Sequence, residues 1–394
     1  MIQEPGFTVV DPPRSIFRRK RFLLPFGIAA ATALAGVFAL FASGTVALPA
    51  QEILVVRGML ASKRDFFQDD EVRRILMANR IQVQVTPVGS RDIVHRDDLD
   101  TFDFVFPSGQ SMAELVYRRR EGKPTNPYKP FFTPIVLATY RDYAEALEGA
   151  EVVTEQDGGD GLYYHLSVPK LIEVVRAGTF WSQLERKDNT RLGNNNRVIA
   201  QTPDPCRTYS GSTYLGMVAF AHNGNQIPAD EETALRLARE IKPLFAIEGQ
   251  YGEELAPKYH APEGRTFAPV VVIYEHQYLA HQFGELDRTG RPDRERVLLY
   301  PDAQHETVPE LLAFTPAGSR VGELVTKNPD LRRRALELGF RVFGSGGSFD
   351  DSELSAHLKR RGLPTPTSGL GDTEAWLPPR HLFDKMIVEV GGCT

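Results

Sequence analysis

From Glu52 onward the chain alternates short apolar runs with stretches of helical periodicity. Ile53–Val56 is four apolar residues in a row, the pattern of a buried strand. After it, Val72, Ile75 and Leu76 repeat at the i, i+3, i+4 spacing of a helix. Ile81–Val88 alternates apolar and polar residues like a half-buried strand, and Asp103–Phe106 is a third short strand running into Pro107-Ser108-Gly109-Gln110. Ile135–Ala138 leads to a helix near Asp142–Leu147. The next elements are a helix over Val168–Ala177, a strand over Val198–Ala200, a helix opening after Ser210 and a helix over Glu231–Phe245. The strand Val270–Tyr274 and a following helix complete that set. Strands Val297–Tyr300 and Leu311–Thr315 come next, then helices over Leu331–Leu338 and Asp351–Lys359. Strands interleaved with helices predict an α/β fold with a mostly parallel sheet. Residues 363–379 hold Pro364, Pro366, Pro378 and Pro379 among Thr, Ser and Gly, and read as a loop-like surface tail.

The amino end follows a different pattern. No charged side chain occurs between Arg21 and Glu52, and Phe26–Ala42 is almost unbroken Ala, Leu, Phe, Val and Gly. A helix crosses a ~30 Å hydrocarbon core in about 20 residues, so Phe22–Val46 is long enough. Pro25 falls in the first turn, where its missing N–H costs little. Arg18, Arg19, Lys20 and Arg21 place the preceding segment on the cytoplasmic side. The expected layout is a cytoplasmic basic segment at 1–21, a transmembrane signal anchor at 22–48 and an extracellular body. A cleaved secretory signal is the competing reading, with Thr45-Val46-Ala47 a passable cleavage site, although its apolar core is normally shorter. A buried core helix would keep a polar face, which this stretch lacks. Anchor and signal alike export the body.

Composition narrows the class further. With 42% hydrophobic and 25% charged residues and only 2 Cys in 394, the chain is neither collagen-like, disordered throughout, nor a disulfide-dense scaffold. The net charge is −5, but residues 1–51 carry +3, leaving −8 on the rest. That balance argues against a nucleic-acid partner. Cys206 and Cys393 are free to join in an oxidising compartment, or to remain two separate thiols.

The candidate chemistry lies where strands run into helices, because helix N-termini there point free N–H groups at ligands. Three such turns stand out: Gly58 to Ser62, Ser108-Gly109-Gln110-Ser111, and Thr208 with Ser210-Gly211-Ser212-Thr213. Converging hydroxyls and glycine amides suit a polar solute or an oxyanion, although Ser and Thr also serve as ordinary helix caps. Tyr274 and Glu275, after another strand, are weaker candidates. No G-x-S-x-G, H-E-x-x-H or P-loop pattern occurs, so no catalytic residue is assigned, and no metal ligand or cofactor is implied. His276 and His281 are five apart, which does not place them on one helical face. The runs Arg118–Arg120 and Arg332–Arg334 read as solvated helix faces.

Four stretches carry a resemblance: ILVVRGMLASKRDFFQDDEVRRIL at Ile53–Leu76, IQVQVTPVGSRDI at Ile81–Ile93, DFVFPSGQ at Asp103–Gln110, and VLLYPDAQHETVPELLAFTPAGSRVGELV at Val297–Val325. With them, residues 53–361 resemble the bacterial extracellular solute-binding proteins of the type II periplasmic-binding fold. The chain is most similar to an actinobacterial branch in which a transmembrane helix precedes the binding domain. The resemblance implies a two-lobed α/β fold preceded by that helix, with a small solute held in the cleft between lobes and delivered to a membrane permease or a membrane complex. Lobe 1 would hold 52–137 and 300–362, lobe 2 would hold 138–299, and 363–394 would be the tail. The crossings would fall near Pro134–Thr139 and Tyr300–Pro301. Two other functions compete: a scaffold or receptor domain that has lost its ligand, and an exported hydrolase built on Glu275 with His276, or on Ser210.

Overall fold

The computed structural model describes residues 52–247, 255–367 and 374–393, together with 31–33 and 35. The expected anchor at 22–48 lies outside the described residues except for those last four. Among the described residues no helix is long and apolar enough to cross a membrane.

In chain order, the first set of elements is β1 (Leu54–Leu60), α1 (Arg64–Gln68), α2 (Asp70–Ala78), β2 (Ile81–Pro87), β3 (Phe104–Phe106), α3 (Gln110–Arg119) and β4 (Asn126–Tyr128). The second opens with β5 (Thr133–Tyr140), α4 (Arg141–Gly149), β6 (Val153–Glu155), β7 (Tyr163–Leu166) and α5 (Val168–Arg176). It continues with α6 (Tyr209–His222), α7 (Glu231–Ile247), α8 (Leu255–His260) and α9 (Gly264–Phe267). Strand β8 (Val270–Tyr274), α10 (Glu275–Thr289), β9 (Arg296–Pro301) and β10 (Glu306–Thr307) close that set. Then come β11 (Leu311–Ala313), α11 (Pro316–Lys327), α12 (Pro329–Glu337), α13 (Ser352–Arg360) and α14 (Arg380–Gly391).

The strands form two sheets. One has the order β2-β1-β3-β11-β4; the other runs β10-β5-β9-β7-β6, with β8 also paired to β5. Neither is mostly parallel. Strand β1 is parallel to β2 and β3, but β11 is antiparallel to both β3 and β4. In the second sheet β5 is antiparallel to β8, β9 and β10. The reason is topological: β5 carries the chain out of the first sheet and β11 brings it back, so each runs against its neighbours. Every residue of β5 from Thr133 is in the second sheet, so the outward crossing lies between Tyr128 and Thr133, ahead of the expected Pro134–Thr139. The return lies between Thr307 and Leu311, later than the expected Tyr300–Pro301.

Stacked aromatic rings fill the outward crossing. Phe131 lies 4.0 Å from Phe340 and 5.1 Å from Phe66, centroid to centroid, with all three rings buried. In the second lobe α6 is buried at every position from Tyr209 to Ala221, as befits a helix with apolar residues on all sides. Val198 and Ala200 are buried and Ile199 half-buried, but the run forms no strand; the bridge to β8 comes just past it, at Gln201 opposite Val271. Arg120 departs from the solvated face expected of it. It is 6% exposed, paired with Asp100 and stacked 3.6 Å over the Phe314 ring.

The carboxyl end is only partly a loop. Beyond Pro379 it forms α14, whose Leu382, Phe383, Met386, Ile387 and Val390 are buried. Helix α14 packs along α7, and a Cys206–Cys393 disulfide ties its end to the segment just before α6. The two cysteines are therefore bonded.

Candidate functional site

Adjacent parallel strands bring their carboxyl ends together, and β1 and β3 do this for Ser62 and Ser108. The two hydroxyl oxygens are 2.6 Å apart, the Ser62 amide donates to Ser108 Oγ at 3.2 Å, and the Ser108 amide donates to Ser90 Oγ at 3.0 Å. Next to them Lys63 is fully buried. Its ammonium donates to Ser62 Oγ at 3.3 Å and sits 3.0 Å above the centre of the Tyr274 ring, which belongs to the other lobe. A buried ammonium needs such partners, and an aromatic face supplies one.

The facing wall is the start of α6. Thr208 is its cap: Oγ1 accepts from the Gly211 amide at 3.1 Å and donates to the Asp204 carbonyl at 2.8 Å. Ser212 Oγ donates to the Thr208 and Tyr209 carbonyls, Thr213 is fully buried, and a side chain at Gly211 would strike the Pro203 carbonyl. Of that cluster Ser210 is the residue that faces the cleft. Tyr209 reaches the opposite lobe, where a side chain on Gly109 would run into its ring. Its hydroxyl lies 3.3 Å from His305 Nε2; His305 Nδ1, 3.2 Å from the Ala375 carbonyl, is the protonated nitrogen, so Tyr209 donates. Burial pushes the Tyr209 hydroxyl up to about 12, with Thr213 and Ser111 beside it holding back the rise. Gln110 Oε1 accepts from the Val308 amide at 3.2 Å and so steadies the return crossing.

Between these walls is a cavity of about 220 Å³. The first lobe lines it with Ser62, Arg64, Asp65 and Gln68; the second contributes Ser210, Tyr274 and Gln277 over an apolar floor of Val272, Ile273 and Leu255. Asp65 has its side chain 47% exposed, with Oδ1 accepting from the Phe66 amide at 2.9 Å and Oδ2 3.2 Å from His276 Nε2. Burial pushes the Asp65 carboxyl up, but the His276 hydrogen bond, the Lys63 ammonium and the Phe66 amide outweigh it, and the group ends below its ordinary value. Burial holds the His276 imidazole below its ordinary value despite Asp65. A neutral ring carrying its proton on Nε2 donates to Asp65, and Nδ1 then accepts from the Thr133 hydroxyl at 3.3 Å. Thr133–His276–Asp65 thus spans the two lobes.

Two expected positions are elsewhere. Gly58 is inside β1, where a side chain would collide with the Phe104 ring; it serves close packing of the sheet, not the cleft. Glu275 is fully buried, with its carboxylate gripped by Arg341 through two 2.7 Å bonds and by the Tyr300 hydroxyl at 2.6 Å, so it cannot meet a solute. Glu306 lies beside the same arginine, both carboxyl oxygens buried without a hydrogen-bond partner. Burial raises it to about 7, Arg341 opposing and Glu275, Asp351 and Glu374 reinforcing the shift.

Sequence reasoning missed Lys63, Arg64, Asp65, Gln68 and Gln277. The first three directly follow Ser62 on the same strand-to-helix turn, and that adjacency was the available signal.

No family model matches the chain, and no curated protein matches its sequence. Solved structures do. The fold is similar to a periplasmic thiamin-binding protein, with a TM-score of 0.52 and 12% identity over 88% of this chain and 98% of that one. It is also similar to iron-bound HitA from Pseudomonas aeruginosa, with a TM-score of 0.51 and 11% identity over 86% of this chain and 99% of that one. At such identities the likeness establishes the architecture alone: a mixed α/β fold of two sheets, shared with periplasmic substrate-binding proteins.

Proposed function

We propose that the protein is a membrane-anchored extracellular solute-binding protein that captures a small polar or anionic solute between its lobes, for a permease or a sensing complex. The cavity carries this reading, because Ser62, from the strand-to-helix turn after β1, and Ser210, from the first turn of α6, line it from opposite lobes. Its binding step is lobe closure around the solute, with movement taken up at the crossings between Tyr128 and Thr133 and between Thr307 and Leu311. Hydroxyls and first-turn amides replace the water that the solute gives up. Periplasmic proteins of this architecture, the thiamin- and iron-binding ones included, support the assignment by fold. The basic cluster and apolar stretch before residue 52 support the anchor.

The test is thermal unfolding of the full-length chain against oxyanions, amino acids, sugars and metal complexes. A ligand at 100 times its Kd adds about 2.7 kcal/mol, a rise of about 4 °C for a chain of this size. The expected result is such a rise with one ligand class, reduced in Ser210→Ala and in Ser62→Ala. A flat response to the whole panel would refute the proposal.

A further inference from the structure

The lobes also meet where the turn after β2, Gly89-Ser90-Arg91, docks on the second lobe. Gly89 packs so close to the Arg207 carbonyl that an added side-chain carbon would lie 3.1 Å from its oxygen. Ser90 is buried, and its Oγ accepts from the Ser108 amide at 3.0 Å, which ties the turn to the paired Ser62 and Ser108 hydroxyls. Arg91 reaches α14, where its Nη2 donates to Asp384 Oδ1 at 3.1 Å. The turn therefore joins a wall of the cleft to two separate elements of the opposite lobe. Those two elements are themselves linked by the Cys206–Cys393 bond. Cys206 directly precedes Arg207, and Cys393 follows the helix that bears Asp384. The other oxygen of Asp384 is 3.3 Å from Arg380 Nε on its own helix, so the carboxylate keeps a cation when Arg91 leaves. The Arg91 and Asp384 side chains are 22% and 38% exposed, and water reaches both. A pair so exposed shifts a two-state equilibrium by about two- to fivefold, enough to hold and weak enough to release.

Resting on the lobe movement in the reading above and on no particular solute, we propose that Gly89-Ser90-Arg91 is a closure latch, made redox-sensitive by the disulfide that holds the Arg207 carbonyl and Asp384 as one platform. A dithiol reductant breaks the S–S bond, leaving two thiols in the protein and a cyclic disulfide in the reductant. The end of α14 then loses its covalent tie to the segment before α6. The effective concentration of Asp384 at Arg91 falls with it, and the open state gains.

Single-molecule energy transfer on the full-length chain in detergent micelles tests this without a ligand. Maleimide dyes go on Arg73→Cys in the first lobe and Lys187→Cys in the second, both well-exposed positions. Gly109→Val, which wedges the Tyr209 ring, marks the open signal. Asp384→Asn and Arg91→Gln should each raise the open-to-closed ratio about two- to fivefold. Dithiothreitol should raise it in the otherwise wild-type chain, yet change it by less than about twofold in Asp384→Asn, because both act through one contact. The reductant arm needs no latch variant, so misfolding of Asp384→Asn or Arg91→Gln does not weaken it. If dithiothreitol leaves the wild-type ratio unmoved, or acts as strongly on Asp384→Asn, the latch is refuted while the open signal of Gly109→Val keeps lobe closure standing. If no variant, Gly109→Val included, departs from the wild-type signal, lobe movement and the latch both fall.

Discussion

Replacing Glu306 by glutamine isolates one buried charge beside the return crossing. Both carboxyl oxygens of Glu306 are out of contact with water and unpartnered, so ionising it in place is costly. Its pKa rises from 4.5 to about 7, with burial the largest cause. A carboxyl with a raised folded-state pKa keeps its proton in the native state while the unfolded chain releases it. Stability is therefore fully retained below pH 4.5 and lost as pH climbs through 7. At about 1.36 kcal/mol per pKa unit the loss is about 3 kcal/mol. A carboxamide at this position cannot ionise, so Glu306→Gln should match the wild type at pH 4.5 and exceed it by about 3 kcal/mol at pH 8.5. That difference is about 4 °C in Tm for a chain of this length. Urea unfolding followed by circular dichroism from pH 4.5 to 8.5 measures it. If the two stability curves stay parallel across that range, Glu306 is ionised in the native state throughout and the reasoning is wrong.

Three more perturbations test separate parts of the structure. Cys393→Ser removes a crosslink between residues 187 apart, and the chain-entropy estimate for so large a loop is about 5 kcal/mol; urea midpoints with and without dithiothreitol should show that the reductant affects only the wild type. Arg341→Met strands the buried Glu275 carboxylate and should cost about 4 kcal/mol at pH 7, while Arg341→Met with Glu275→Gln should cost less than the two single changes added together. Gly109→Val pushes a side chain into the Tyr209 ring and should hold the lobes apart. Solution X-ray scattering should then show a larger radius of gyration, and affinity for any cleft ligand should fall at least tenfold.

What could be read from the sequence was what local spacing determines. Strand β8 was expected at Val270–Tyr274 and is found there, because five consecutive apolar residues bounded by Pro269 and Glu275 leave little choice. Val198–Ala200 looks similar, but the bridge to β8 falls just past its end, at Gln201. Helix α14 was overlooked behind a proline-rich stretch, although Leu382, Phe383, Met386, Ile387 and Val390 repeat with helical spacing. The same limit applies at the site. Ser62 follows from a strand-to-helix turn and Ser210 from the capped start of a helix, both local features. Glu275 was misplaced because its partner Arg341 is 66 residues away, and nothing near Glu275 in the sequence announces it. Asp65 escaped notice for a related reason. An acid in the first turn of a helix looks like ordinary dipole compensation until His276, 211 residues on, meets it.

The contacts that join the lobes around the cavity are of different kinds. Lys63 lies on the Tyr274 ring, Asp65 meets His276, and Tyr209 packs on Gly109. In each pair one partner belongs to the strand-to-helix turns of the first lobe and the other to the second. Two of the three use residues that also line the cavity, Tyr274 and Asp65. Opening the lobes would therefore hydrate the Lys63 ammonium, which is fully buried here, and this lowers the cost of the open state and keeps closure from being overwhelming. A binding protein needs that balance, because affinity scales with the closed fraction and release requires the open one. The Cys206–Cys393 bond lies outside this exchange, and so does the packing of α14 on α7, although Asp384 of α14 also reaches Arg91 of the first lobe. They tie the start of α6 to α7 within one lobe, so Ser210 keeps its place on the wall whichever way the crossings move.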